Sequence, residues 1–265
     1  MIRLPISVCL VAGNEAHRIR PALDSVQGWT SEIILAIDDQ VADGTDKIAA
    51  SYGAKIFSPP WRGHAVHRNF ASAQATQPWL LAIDADEVVP PGLRDEIIRL
   101  FEQNNFNPPC AAYRFPRCTF YYGRWIRHGD WYPDRQTRLW QRGRADWGDK
   151  QLHETLTVDG ATGDLKNDLQ HHSMESLDHH VRKSITYSNL FAQQRLERGK
   201  NVSLPEIWFR SWWRFVRGYI LRRGFLDGWQ GYVIARMIAQ ETFLRYAKVR
   251  AAQAGPKSKS SRHQT

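Results

Sequence analysis

The sequence predicts an α/β fold: a mostly parallel sheet with flanking helices, extended on its C-terminal side by an amphipathic helical segment. Three observations carry this prediction. Through roughly the first hundred residues, short apolar runs alternate with helix-like stretches of about ten residues, the pattern of parallel strands joined by crossover helices. Several of these runs stop abruptly in polar groups, most clearly in Leu80-Leu81-Ala82-Ile83-Asp84-Ala85-Asp86-Glu87. Beyond residue 110 the alternation gives way to a stretch rich in Arg, Trp, Tyr and Gly, with strand-like pieces at 111–115 and 137–141 that predict an antiparallel addition.

Taken in order, residues 6–12 read as a buried strand, and Ile19, Leu23 and Val26 fall at helical spacing within 18–26. A second strand spans 32–37, followed by a helix over 43–52 with Asp43 as its N-cap. A short strand at 55–57 leads to a helix over 63–75, and a fourth strand at 79–83 to a helix over 92–104. Another helix is expected over 177–198, where His179-His180 reads as an exposed pair. The domain boundaries that follow are 1–175 for the main domain, 176–253 for a helical extension and 254–265 for a polar, basic tail expected to be disordered.

With 265 residues, 42% of them hydrophobic, the chain can bury one sizeable core and carry an appendage. Its net charge of +9 points to an anionic partner: nucleic acid, anionic lipid or a phosphorylated substrate. The three cysteines, Cys9, Cys110 and Cys118, lack metal-type spacing and are expected to be reduced thiols of a cytoplasmic protein. No apolar run approaches the ~20 residues of a membrane span, and the N-terminus does not read as a signal peptide. Any membrane association is therefore expected to be peripheral.

The polar groups at the strand ends are the candidate chemistry. The first strand leads to Asn14 and Glu15, the second to Asp38, Asp39 and Asp43-Gly44-Thr45, and the fourth to Asp84 and Asp86. Parallel strands place such ends on one edge, where open α/β sheets bind ligands. Two Asp separated by one residue suit a hard divalent cation, Mg²⁺ or Mn²⁺, that also grips substrate phosphates. An isolated Asp-x-Asp is more often a solvated turn; here the strand before it and the polar groups upstream favour the site. Asp38 would accept hydrogen bonds from a nucleobase or ribose, and Arg68, in His67-Arg68-Asn69, would neutralise a phosphate.

Asn14-Glu15, Asp38 with Asp43-Gly44-Thr45, His67-Arg68-Asn69 and Asp84-Ala85-Asp86 together resemble the successive motifs of inverting family 2 glycosyltransferases of the GT-A fold. The resemblance is strongest to bacterial lipopolysaccharide core β-glucosyltransferases. It continues through Arg138-Leu139-Trp140, Leu152-His153-Glu154 and Gly224-Phe225-Leu226-Asp227-Gly228, to about residue 250. The run Asp38-Asp39-Gln40-Val41-Ala42 departs from the smaller residues the family usually has there. The resemblance implies a UDP-hexose donor, with Asn14, Glu15 and Asp38 around the nucleoside, Asp84 facing ribose or metal, and Asp86 ligating a divalent metal. It implies Glu154 as the general base on the acceptor hydroxyl; Asp130, in Gly129-Asp130-Trp131, is the runner-up base. His153 would orient Glu154 or touch the diphosphate, and His171 would complete the metal or phosphate site. Trp125, Trp131 and Trp140 are either sugar-stacking or packing residues.

From 208 to 250 there are nine Lys or Arg against two acids, with eleven aromatics. Such a mixture suits an amphipathic helix at an anionic membrane surface, and also an ordinary helical cap on the domain. A nucleic-acid groove would use the same residue types, but the acidic strand ends speak for a nucleotide-sugar enzyme that binds no nucleic acid. The expected protein is a glycosyltransferase moving a hexose, glucose from UDP-glucose, onto the lipopolysaccharide inner core at the cytoplasmic face of the inner membrane. The alternatives are a GT-A transferase with a polyprenyl-linked or protein acceptor, and a non-catalytic basic module.

Overall fold

The computed structural model describes residues 3–148, 156–174 and 176–254. Two compact units make up the chain: Met1–Phe120 with Tyr132–Ser173, and Tyr121–Trp131 with Met174–Thr265. Thus the second unit takes in Tyr121–Trp131 as well as the C-terminal helices. The tail expected over 254–265 lies, from residue 255 on, outside the described residues.

The first unit begins with strand β1 (Leu4–Ala12), helix α1 (Ile19–Val26), β2 (Thr30–Ile37), α2 (Thr45–Ser51), β3 (Lys55–Phe57), α3 (His64–Ala73), β4 (Trp79–Asp84), β5 (Glu87–Val88) and α4 (Pro91–Gln103). Strands β1 to β4 pair in parallel in the order β3-β2-β1-β4, with Ala12 opposite Ile37 and Val11 opposite both Ala36 and Asp84. Their near-continuous burial is the mark of a sheet covered on both faces. Ile6, Leu10, Leu35, Leu81 and Ile83 pack on one face with Leu23 of α1 and Phe101 of α4. Cys9, Ile34, Leu80 and Trp140 pack on the other with Ala71 of α3. Helix α2 starts at Thr45 rather than at Asp43. Gly44 holds the capping position with φ +90°, and Asp43 instead receives the Thr45 N–H at 3.0 Å.

The expected antiparallel addition is present. It comprises β6 (Ala112–Tyr121) and, after the short β7 (Arg124–Trp125), β8 (Asp134–Gln141), which runs antiparallel to both β4 and β6. Strands β9 (Ala145–Trp147) and β10 (Leu156–Val158) form a small antiparallel ribbon, followed by β11 (Thr162–Asp164) and β12 (Leu169–His171). Strand β12 lies parallel to β6 and antiparallel to β5. Trp140, a candidate sugar platform, is instead a core residue at 1% exposure. All three cysteines are free thiols, two of them buried.

The second unit holds helix α5 (Leu177–Glu197), α6 (Leu204–Phe215), a π-helical turn (Val216–Leu221), a 3₁₀ turn (Gly224–Asp227) and the long α7 (Gly228–Ala254). Ser203 caps α6 by accepting the Glu206 N–H, and Pro205 sits in its first turn. Asp227 is buried and receives the backbone N–H groups of Arg127 and His128, at 3.0 and 2.7 Å. His180, expected to be exposed, is buried with Nδ1 3.2 Å from the Tyr121 hydroxyl. Burial there pushes its pKa down to about 4. Among the described residues no helix is long and apolar enough to cross a membrane.

Candidate active site

The parallel pairing of β1, β2 and β4 brings the loops after all three strands to one edge of the first unit. Hydrogen bonds tie these loops together. The Glu15 N–H donates to Thr45 Oγ1 at 2.9 Å and the Ala16 N–H to Asp43 Oδ2 at 2.9 Å. Asn14 stands exposed on this rim, and Asp38, half-buried, folds its own turn by accepting the Gln40 N–H at 3.0 Å. Arg18 pairs with Glu15 and reaches 3.8 Å from Asp86 Oδ2.

Asp84 and Asp86 have different surroundings. Both oxygens of Asp84 are held by arginines: Arg68 Nη2 donates to Oδ1 and Oδ2 at 2.8 and 3.1 Å, and Arg138 Nη2 to Oδ2 at 2.9 Å. Arg138, 3% exposed, also donates to Oε1 of the wholly buried Glu87 at 2.9 Å, and Arg117 donates to the same oxygen at 3.1 Å. Burial alone would raise the pKa of Asp84; the two guanidiniums outweigh it and hold the carboxyl far below the usual range. Asp86 faces His171 instead, with Nε2 3.6 Å from Oδ2. Burial opposes its ionisation, and the His171 ring more than compensates, leaving the pKa lowered.

His171 reaches this position through strand pairing. Strand β12 aligns His171 with Glu87 of β5, and the His172 N–H donates to the Asp86 carbonyl at 2.8 Å. Thr119, opposite His171 on β6, lies 3.4 Å from its Nδ1 and leaves Nε2 for the Asp86 side. Among the described residues no group of three or more His, Cys, Asp or Glu side chains forms a closed metal cage. The pair Asp86–His171 nevertheless fits a divalent cation of the kind that takes one carboxylate, an imidazole and otherwise water or substrate phosphate. Asp84 fits less well, because guanidiniums occupy both of its oxygens.

The His67-Arg68-Asn69 run has a local logic that the sequence did not disclose. Arg68 reaches Asp84, while the Asn69 side chain exchanges two hydrogen bonds, both 2.9 Å, with the backbone of Trp147. The Trp147 ring then lies 4.8 Å from the Arg68 guanidinium and 5.9 Å from that of Arg138. Arg138 and Glu87, quoted from the sequence only as parts of motifs, and Trp147 are therefore parts of the site to which residue-type reasoning gave no role. Its place in the Arg138-Leu139-Trp140 motif was the available signal for the first.

Of the remaining candidates, His153 and Glu154 lie outside the described residues. Asp130 belongs to the second unit, where Arg214, Arg217 and Arg222 approach its carboxylate at 3.4, 2.6 and 3.3 Å. Its Oδ1 accepts from Arg217 at 2.6 Å, while its buried Oδ2 has no hydrogen-bond partner among the described residues. The same contacts engage three of the arginines that the sequence offered to a membrane.

A sheet of this topology with a converging acidic and basic edge is the framework of a nucleotide-sugar transferase. The model of glycosyl transferase family 2 matches residues 7–157, and the chain belongs to that family. It is a glycosyltransferase of the GT-A fold. An uncharacterized glycosyltransferase of Rickettsia bellii is 30% identical over 96% of this chain and 90% of its own length. The lipopolysaccharide core biosynthesis glycosyltransferase LpsC of Rhizobium meliloti is 27% identical over 93% of this chain and 92% of its own. Among solved structures, S. aureus TarS 1–349 in complex with UDP-GlcNAc aligns with TM-score 0.51 at 12% identity, over 96% of this chain and 93% of that one. The mannosyltransferase PcManGT of Pyrobaculum calidifontis, in complex with GDP-Man and Mn²⁺, aligns with TM-score 0.50 at 13% identity, over 97% and 77%.

Proposed function

We propose that this glycosyltransferase moves glucose from UDP-glucose, with inversion, onto the inner core of lipopolysaccharide at the cytoplasmic face of the inner membrane. The observation that carries the donor half is the rim at the ends of β1, β2 and β4, where Asp86 and His171 stand beside an arginine-held Asp84. Asn14, Glu15 and Asp38 surround the nucleoside, and Arg68 and Arg138 fix Asp84 towards the ribose. Asp86 and His171 hold a divalent cation, Mg²⁺ or Mn²⁺; the mannosyltransferase PcManGT, similar in fold, is seen with Mn²⁺. Such an ion supplies Lewis acidity that screens the charge of the departing diphosphate.

Inversion needs a base on the face opposite the leaving group, and Glu154 takes that role by the Leu152-His153-Glu154 motif, taking the proton of the acceptor hydroxyl. His153 orients it. The likeness to LpsC supports the lipopolysaccharide core as acceptor. The test is transfer from radiolabelled UDP-glucose to a core acceptor in the presence of Mn²⁺. Parent protein should transfer label, and Glu154→Gln should be slower by about 10²–10⁴-fold while UDP binding is kept. Glucose transfer by Glu154→Gln within a few-fold of the parent would remove Glu154 from the mechanism; no transfer by the parent with any UDP-hexose would remove the donor assignment.

A further inference from the structure

Helix α6 has its apolar character turned outward. Ile207 is the residue it buries, while Leu204, Trp208, Phe209, Trp212 and Trp213 stand in solvent, Trp208 at 68% exposure. Ile220, Leu221, Phe225 and Trp229 continue the same character along the turns that follow. A soluble surface rarely leaves so many neighbouring large apolar side chains uncovered. None of them contributes to the core of the second unit, so folding alone does not explain them.

Next to these side chains, between α6 and α7, lies a cavity of about 460 Å³. Arg210, Arg214 and Arg245 line it together with Phe209, Trp213 and Tyr246, against a single carboxylate, Glu206. Each guanidinium carries five N–H donors, of which the protein uses few. Arg210 Nε donates to Glu206 at 2.8 Å and Arg245 Nη2 to Glu241 at 2.5 Å, whereas Arg214 Nη1 lies 3.4 Å from Asp130. Arg245 Nε is buried with no acceptor among the described residues. Tyr246 supports the Arg210 guanidinium, which sits 5.1 Å from its ring centroid.

We propose that this cavity seats the phosphate headgroup of an anionic phospholipid while the outward aromatics of α6 enter the bilayer interface. A phosphodiester is an acceptor-only anion that guanidiniums match in pairs, and Trp favours headgroup depth. The excess of guanidinium over carboxylate in the walls, on a chain of net charge +9, is complementary to an anionic leaflet and repulsive to a second copy of itself. The inference deepens the proposed reading, in which the acceptor is lipid-linked, by naming what holds the enzyme at that surface.

The test uses the full chain with vesicles of phosphatidylcholine alone and of phosphatidylcholine with roughly one third phosphatidylglycerol. The parent should sediment with the anionic vesicles, less so as salt rises, and its tryptophan emission should shift to the blue. Inorganic phosphate at the same concentration should not produce that shift; an equal shift would mean a free-phosphate site and overturn the proposal. Arg210→Gln with Arg245→Gln should bind the anionic vesicles at least about tenfold more weakly, and Arg210→Lys with Arg245→Lys should recover part of the loss. Trp208→Ser with Trp212→Ser should weaken binding with the thermal midpoint preserved. Binding of the glutamine variant as tight as the parent's, or parent binding indifferent to phosphatidylglycerol, would contradict the pocket. Hydrolysis of UDP-glucose by the parent without vesicles separates the two readings: its absence counts against the donor assignment, and failed vesicle binding with hydrolysis intact counts against the pocket alone.

Discussion

Arg138 is the residue on which the charged edge turns. It bridges Asp84 and Glu87 from a position at 3% exposure, and its Nε and Nη1 have no acceptor among the described residues. A buried carboxylate stripped of its cation is costly, on the order of 3–5 kcal/mol. Arg138→Met should therefore lower the unfolding free energy in urea by about that amount. Arg117→Met, which removes the more exposed partner of Glu87, should cost distinctly less. Equal losses in the two variants would mean that Arg138 is not the residue stabilising the buried acids. Asp84 and Asp86 were legible in the sequence because an apolar run ends on them. Their division of labour was not, because it depends on Arg138 across the sheet and on His171 delivered by β12, neither of which is near them in sequence.

At the scale of elements, strands β1 to β4 and their helices follow from period and punctuation, to within about two residues at most ends. The turns linking α6 to α7 do not, because their reason is close backbone approach. An ideal Cβ on Gly231 would lie 1.9 Å from the Gly224 carbonyl oxygen, and one on Gly224 would lie 2.7 Å from that of Gly218. The glycine-bounded run from Gly224 to Gly228 is thus part of a packed junction, with Asp227 capping 127 and 128 beside it. Gly231→Ala meets backbone rather than a flexible side chain. It should cost about 1–3 kcal/mol, read as a lowered midpoint of thermal unfolding with UDP binding retained below it. A midpoint equal to the parent's would show that the junction yields easily. Composition could not tell which arginines of 208–250 are engaged within the fold: Arg214, Arg217 and Arg222 converge on Asp130.

Across the whole molecule, the first unit concentrates alternating charge at its strand ends, and the second concentrates arginine and exposed aromatic side chains. That division is what the proposed soluble donor and lipid-linked acceptor would require. The family was readable because five or more short motifs occur in order, even though each alone is weak. The fold was readable because its strands are buried on both faces. The proposed donor site depends on Asp86 as the carboxylate that carries the cation under the donor diphosphate. Calorimetric titration of UDP into the protein with and without Mn²⁺ tests this most directly. The parent should bind UDP in a Mn²⁺-dependent way, and Asp86→Asn, folded as judged by circular dichroism, should bind at least about tenfold more weakly with the Mn²⁺ dependence gone. Metal-dependent UDP binding of parental strength in Asp86→Asn would contradict the assignment.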